Sequence, residues 1–179
     1  MKTYLTYGAA MAIAGVLLNL GLYFAGYHTD ANKLGMAQVI GALAGNAIAI
    51  TCIVLGMRAR RAEVLATNEA FGYGRALGAG IMITLFAALC GMLTGYLYMH
   101  VINPGMTDVM IQNQVQKMEA SGASADAIEK MENITRKMMN PAVMTAMGFV
   151  FAMFGGTVIS LIAAAFVKRE SSDAPPAIT

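Results

Sequence analysis

Four stretches of the chain, 4–27, 34–57, 76–101 and 142–167, carry no Asp, Glu, Lys or Arg. They hold one histidine, His100, close to the end of the third. Each runs for roughly 24 to 26 residues, where about 20 apolar residues cross the hydrocarbon of a bilayer. A helix packed into a water-soluble domain keeps a polar face, and these stretches have none. The pattern predicts an all-α integral membrane four-helix bundle. The first stretch exceeds the 7 to 15 apolar residues of a signal peptide, and no small-residue cleavage site comes after it. It therefore reads as a retained span, within a single membrane domain over 1–169.

The pattern changes between the third and fourth spans. Asn103-Pro104-Gly105 ends the third helix, because proline has no amide hydrogen to donate. Asn103 or Thr107 is placed to cap the next helix, with Asp108 in its first turn. Ile111, Val115 and Met118 then recur at helical spacing, and Ala127, Met131, Ile134 and Met138 do so again after a Ser121-Gly122-Ala123-Ser124 turn. Ser124 suits the N-cap of the second helix. The reading is an extracytoplasmic amphipathic helical hairpin over about residues 107–139. Asn140 and Pro141 then open the fourth span as cap and first helical residue. The tail 170–179, with two serines and two adjacent prolines, reads as disordered and cytoplasmic.

Orientation comes from the basic residues near span ends. Lys2, Arg58, Arg60, Arg61, Arg75, Lys168 and Arg169 fall on one side by the parity of the crossings. Lys33, Lys117, Lys130, Arg136 and Lys137 fall on the other, among six carboxylates. The first set crowds the span ends, so both termini are expected in the cytoplasm, as in a multi-pass protein of the bacterial inner membrane. Composition agrees: 58% of residues are hydrophobic and 12% charged, about half the charge of a soluble domain. A net charge of +2, scattered along the chain, excludes a nucleic-acid binder, and the apolar content excludes disorder.

Several short motifs share a family pattern. Phe71-Gly72-Tyr73-Gly74 precedes the third span and Ile102-Asn103-Pro104 ends it. Ala120-Ser121-Gly122-Ala123-Ser124 forms the outer turn, and Asn140-Pro141 enters the fourth span. In these the chain resembles a bacterial membrane family known as domain of unknown function 4199, over residues 1 to 170. The resemblance implies a four-helix membrane protein and supplies no catalytic residues.

Small residues at spacing four suggest where helices meet, since they let backbones approach. The candidates are Gly41 and Gly45, Gly91 and Gly95, and the run Gly148, Ala152, Gly156 and Ser160, continued by Ala164; Gly74 and Gly78 form a further pair. Asn19 and Asn46 lie mid-span and Gln38 nearer a span end, and a buried amide in lipid calls for an interhelical hydrogen bond. No Asp, Glu, Lys, Arg or His lies deep in any span, whereas a proton- or ion-coupled transporter ordinarily has one. His28, His100, Met99, Met106 and Met110 could in principle suit copper(I). They lack tight metal-ligand spacing, so no metal site is expected. No nucleophile-elbow, zinc-protease or Walker motif occurs, and Cys52 and Cys90 read as small apolar residues. No catalytic residue and no cofactor are expected. The sequence points to a non-enzymatic structural or accessory component whose partners are the lipid bilayer and a second copy or another membrane protein. The alternative is a subunit of an oligomeric transporter or channel, with Asn19 and Asn46 lining a polar path.

Overall fold

The computed structural model describes residues 1–138 and 140–169; the tail from 170 onward, expected to be disordered, lies outside the described residues. Helices occur in the order α1 (Lys2–Phe24), α2 (Ala31–Leu65), α3 (Tyr73–Leu97), α4 (Met106–Ala120), α5 (Ala125–Met138) and α6 (Pro141–Val167). A π-helical turn, Tyr98–Ile102, continues α3. Four of these elements are long and apolar enough to cross a membrane: α1, α2, α3 with its π turn, and α6. No strand occurs among the described residues, only an isolated two-residue bridge between Phe71 and Arg169. The fold class is all-α with four membrane-length helices.

The helix ends show local chemistry at work. Gly26, at φ 79°, terminates α1: its amide donates to the Tyr23 carbonyl and that of Tyr27 to Leu22, both at 2.9 Å. This is the left-handed glycine cap that satisfies the last carbonyls of a helix, and it stops α1 three residues short of the apolar run's end. The same device closes α4 at Gly122, at φ 75°, through Gly122 to Glu119 and Ala123 to Met118, both 3.0 Å. Asp30 caps α2 by accepting from the Asn32 amide at 2.9 Å. Ser124 does so for α5 (Ala127 amide, 3.3 Å) and Asn140 for α6 (Ala142 amide, 2.9 Å). The cap of α4 differs from expectation: Gly105 occupies it without a side-chain bond, and neither Asn103 nor Thr107 serves. The side chain of Asn103 donates to the His28 carbonyl instead.

The chain forms two compact units. Unit 1 comprises the start of α1, the second half of α2, most of α3 and the end of α6 (of the described residues, 1–13, 47–90 and 150–169). Its core gathers Ile53, Met57 and Val64 of α2, Phe71, Ala76, Ala79 and Ile83, and Ala163, Ala164 and Val167 of α6. Tyr4 and Tyr7 of α1 pack against it. Phe71 is only 1% exposed, and its segment is held by two backbone bonds with Arg169, at 3.1 and 2.8 Å. Here α2 outruns its apolar stretch by eight residues, Arg58–Leu65, because arginine, alanine and glutamate are all good helix formers.

Unit 2 comprises the end of α1, the start of α2, the last turns of α3, then α4, α5 and the start of α6 (14–46, 91–149). Its buried residues include Leu22, His28, Ala31, Leu34, Ala37, Asn103, Ile111, Asn113 and Thr135. Helices α4 and α5 pack together, joined across the turn by Arg136, which reaches Asp108 at 2.9 Å and Glu132 at 3.0 Å. Ile111 of α4 is buried, with Val115 and Met118 half-buried, along the expected stripe. The stripe of α5 is rotated from expectation. Ile128, Met131 and Thr135 turn inward, while Ala127, Ile134 and Met138 are exposed, the last two by 58% and 57%. Thr135 can turn inward because its hydroxyl bonds the Met131 sulfur at 3.1 Å; the exposed Arg136 pairs accompany this rotation, with Ile134 on the far side.

Candidate functional site

The closest helix contacts in unit 1 are made by glycines. A Cβ added at Gly156 of α6 would meet the side chain of Thr84 on α3, with the Thr84 Cβ 2.9 Å away. At Gly80 of α3 it would meet Ser160 of α6, whose Cβ would be 2.7 Å away, and the end of Met57. Helices α3 and α6 thus interlock through Gly80–Thr84 on one and Gly156–Ser160 on the other, with Ala164 buried in continuation. Two more glycines seat α1 and α2. A Cβ at Gly8 would meet the Phe86 Cβ at 2.7 Å, and one at Gly56 the Tyr7 ring at 3.0 Å. Burying two hydroxyls in such a seam would be costly unless each had an acceptor. Ser160 donates to the Gly156 carbonyl at 2.6 Å and Thr84 to that of Gly80 at 3.0 Å, both inside their own helices.

The other candidate packing residues lie differently. Gly148 and Ala152 are exposed, and nothing comes within 4 Å of a Cβ built at Gly148, Gly41, Gly45 or Gly91. Gly74 and Gly78 are likewise open. Gly95 faces the Thr145 methyl at 3.5 Å, an ordinary contact that alanine could also make. Within the chain, the small-residue seam is therefore confined to the second half of the α6 run. The amides of Asn19 and Asn46 make no interhelical bond among the described residues. Each turns back on its own helix, Asn19 to the Gly15 carbonyl at 3.0 Å and Asn46 to that of Ala42 at 2.8 Å, and both are exposed. Gln38 is exposed as well.

Unit 2 holds a buried polar cluster. His28, in the α1–α2 connection, places Nδ1 2.6 Å from the hydroxyl of Tyr98, the first residue of the π turn. Asn103 donates to the His28 carbonyl at 3.1 Å and lies 3.5 Å from the Tyr98 hydroxyl and 3.6 Å from the Met106 sulfur. The wider π turn closes with the Asn103 amide donating to the Tyr98 carbonyl at 2.8 Å, bringing both side chains to the same histidine. Asn113 of α4 clasps the start of α2 by donating to the Ala31 carbonyl at 2.6 Å. Burial pulls the His28 imidazole below its ordinary pKa, because the charged form loses its hydration. Periodicity could not have found this cluster: its partners are about 75 positions apart, and only the helix-breaking Asn-Pro hinted that Asn103 mattered.

Among the described residues, no three of His, Cys, Asp and Glu gather as metal ligands, and no disulfide joins Cys52 to Cys90. Between α4 and α5 a shallow groove of about 500 Å³ is lined by Asp108, Ile111, Gln112, Val115, Glu132 and Arg136, with the one guanidinium shared between the two carboxylates. The arrangement can pack helices and latch loops. No curated protein and no solved structure matches the chain. A family model does: the one described as "Protein of unknown function (DUF4199)" matches residues 6–169, which takes in most of α1, the five other α-helices and the Phe71, Asn103, Gly122 and Asn140 motifs. The chain belongs to that family.

Proposed function

We propose that the protein is a non-enzymatic structural or accessory component of the bacterial inner membrane, acting by lateral packing of its helices and through its α4–α5 hairpin. One observation carries this reading. Only 11% of the most apolar windows of α1 and of α2 is buried within the chain, against 39% for α3. Two membrane-length helices thus leave most of their surface for something else to cover. That surface includes open glycines (Gly15, Gly41, Gly45) and two amides, features that favour close helix approach over plain lipid. The exposed Ile134 and Met138 of α5 add an apolar edge to the hairpin. Basic residues at the ends of α1, α2, α3 and α6 support both termini in the cytoplasm and the hairpin outside. The partner is a second copy or another membrane protein.

A specific observation also keeps a second reading in view. Asn19 and Asn46 are exposed amides on membrane-length helices, and in an oligomer they would form a polar lining for a transporter or channel. Purification in a mild detergent, then mass measurement of the intact complex and flux assays in proteoliposomes, separates the two. The accessory reading expects a defined stoichiometric assembly and vesicles as tight as empty ones. Monomeric protein, or vesicles that leak a small solute or ion, overturns it.

A further inference from the structure

At one end of unit 1 the four membrane-length helices carry their charged termini. Lys2, Arg58, Arg60, Arg61 and Arg75 lie near two carboxylates, Glu63 and Glu69, in the sequence of this unit. Both carboxylates are occupied: Glu63 by Arg60 at 2.6 Å and by the Thr3 hydroxyl, Glu69 by Arg75 at 2.6 Å. Contacts tie these residues into one surface. Arg60 donates to the Tyr4 hydroxyl at 3.0 Å and lies 5.6 Å over the Tyr4 ring, joining α2 to α1. Arg61 donates to the Val167 carbonyl at 3.2 Å, joining α2 to α6. The Arg169 backbone pairs with Phe71, next to Arg75 and Glu69.

The depth of this surface is fixed by the helix. The charge-free stretch of α2 ends at Met57; at 1.5 Å per residue its length is about 36 Å, slightly more than a hydrocarbon core. Arg58 and Arg61 therefore begin where headgroups begin. Tyr4 and Tyr73 lie at the same boundary, with Tyr73 donating to the Leu161 carbonyl at 3.1 Å, as phenols at a membrane interface do. Arg58 is exposed and makes no ion pair among the described residues. Arg61 gives one guanidinium nitrogen to a neutral carbonyl, which leaves the other for an anion. A guanidinium fork matches two oxygens of a phosphate.

We propose that this end of unit 1 binds the headgroups of anionic phospholipids, phosphodiesters with one net negative charge, with Arg58 and Arg61 as the phosphate ligands. The inference deepens the membrane reading above and rests on it. The occupant is the lipid rather than free phosphate, because the cations sit at the border of an apolar surface that acyl chains cover.

The test uses the full-length protein in neutral detergent. Phosphatidylglycerol, phosphatidylcholine and inorganic phosphate are added in separate arms, and bound lipid is counted by native mass spectrometry with the melting temperature measured alongside. Phosphatidylglycerol should be retained and should raise the melting temperature, less so as salt increases. Arg58→Gln should weaken its retention about fivefold, and Arg58→Gln with Arg61→Gln about thirtyfold. Arg136→Gln in unit 2 should leave phosphatidylglycerol retention unchanged. Equal retention of phosphatidylcholine, an equal effect of inorganic phosphate, or undiminished binding by the folded Arg58→Gln variant overturns the proposal. Failure of the membrane reading looks different: the protein would stay dispersed without detergent.

Discussion

Replacing Gly156 with leucine puts a branched side chain where α6 meets α3. The Cβ alone would lie 2.9 Å from the Thr84 Cβ and closer still to the Thr84 methyl and hydroxyl. No real Cβ sits that near, so the backbones must separate. Overpacking of this kind typically costs about 1 to 3 kcal/mol. For a chain of 150 to 250 residues each kcal/mol moves the melting temperature by about 2 to 4 °C, so Gly156→Leu should lower it by about 2 to 12 °C. Alanine is a finer probe. It recovers about 1 kcal/mol of helix propensity over glycine while still meeting Thr84, so Gly156→Ala should fall between neutral and about 2 kcal/mol destabilising. Trimming the partner with Thr84→Ala should relieve part of that cost, giving a coupling energy of about 0.5 kcal/mol or more. Gly148→Leu and Val158→Leu are the controls, since Gly148 has nothing within 4 Å and Val158 is exposed. Thermal melts monitored by circular dichroism in one detergent suffice. Equal melting temperatures for Gly156→Leu and Gly148→Leu would refute the α3–α6 seam.

The same packing sets three more outcomes. Phe71→Ala removes a fully buried ring beside the Arg169 bridge and should cost about 3 to 5 kcal/mol; a melting temperature within error of wild type would contradict its place in the core. Because burial lowers the pKa of His28, the native state binds fewer protons than the unfolded chain as pH falls below about 6.5. Stability from this group is complete above that pH and is lost as pH drops toward the folded value; melts at pH 5.5 and 7.5 should differ more in wild type than in His28→Gln, and equal differences would remove the histidine from the account. Arg136→Ala breaks two exposed ion pairs and should change stability by less than about 1 kcal/mol, so a larger fall in chemical denaturation would mean α5 depends on them.

The four spans are plain in the sequence because an uncharged apolar run of bilayer length is hard to accommodate anywhere but in lipid. Their ends are less so. An uncharged window marks the depth of hydrocarbon and not the end of a helix, which is why Arg58–Leu65 extends α2 beyond it while Gly26 cuts α1 short. Spacing identifies Gly156 and Ser160, but cannot show that Gly148 and Ala152 lie open, because a period of four drifts around a helix of 3.6 residues per turn. Gly8, Gly56 and Gly80 escape a search for glycine pairs, although Ala76, Gly80, Thr84 and Ala88 form a spacing-four run that is buried throughout. The face of α5 differs from the expected one because apolar periodicity passes over Thr135, a polar residue that is buried with its hydroxyl on the Met131 sulfur. Ile134 lies on the opposite side and is exposed. Long-range polar pairing, as between His28, Tyr98 and Asn103, leaves no local trace beyond the helix break at Asn103-Pro104.

The central claim, a four-span membrane component with its basic helix ends in the cytoplasm and its hairpin outside, is open to a direct measurement. In a background with Cys52 and Cys90 replaced by alanine, single cysteines are placed at Ser121 in the α4–α5 turn and at Ala62 near the end of α2; both positions are exposed. Intact cells are then treated with a membrane-impermeant thiol reagent, before and after lysis. The account predicts that Ser121→Cys labels in intact cells and that Ala62→Cys labels only after lysis. Labelling of Ala62→Cys alone in intact cells would reverse the orientation. Labelling of both would contradict the spanning arrangement itself.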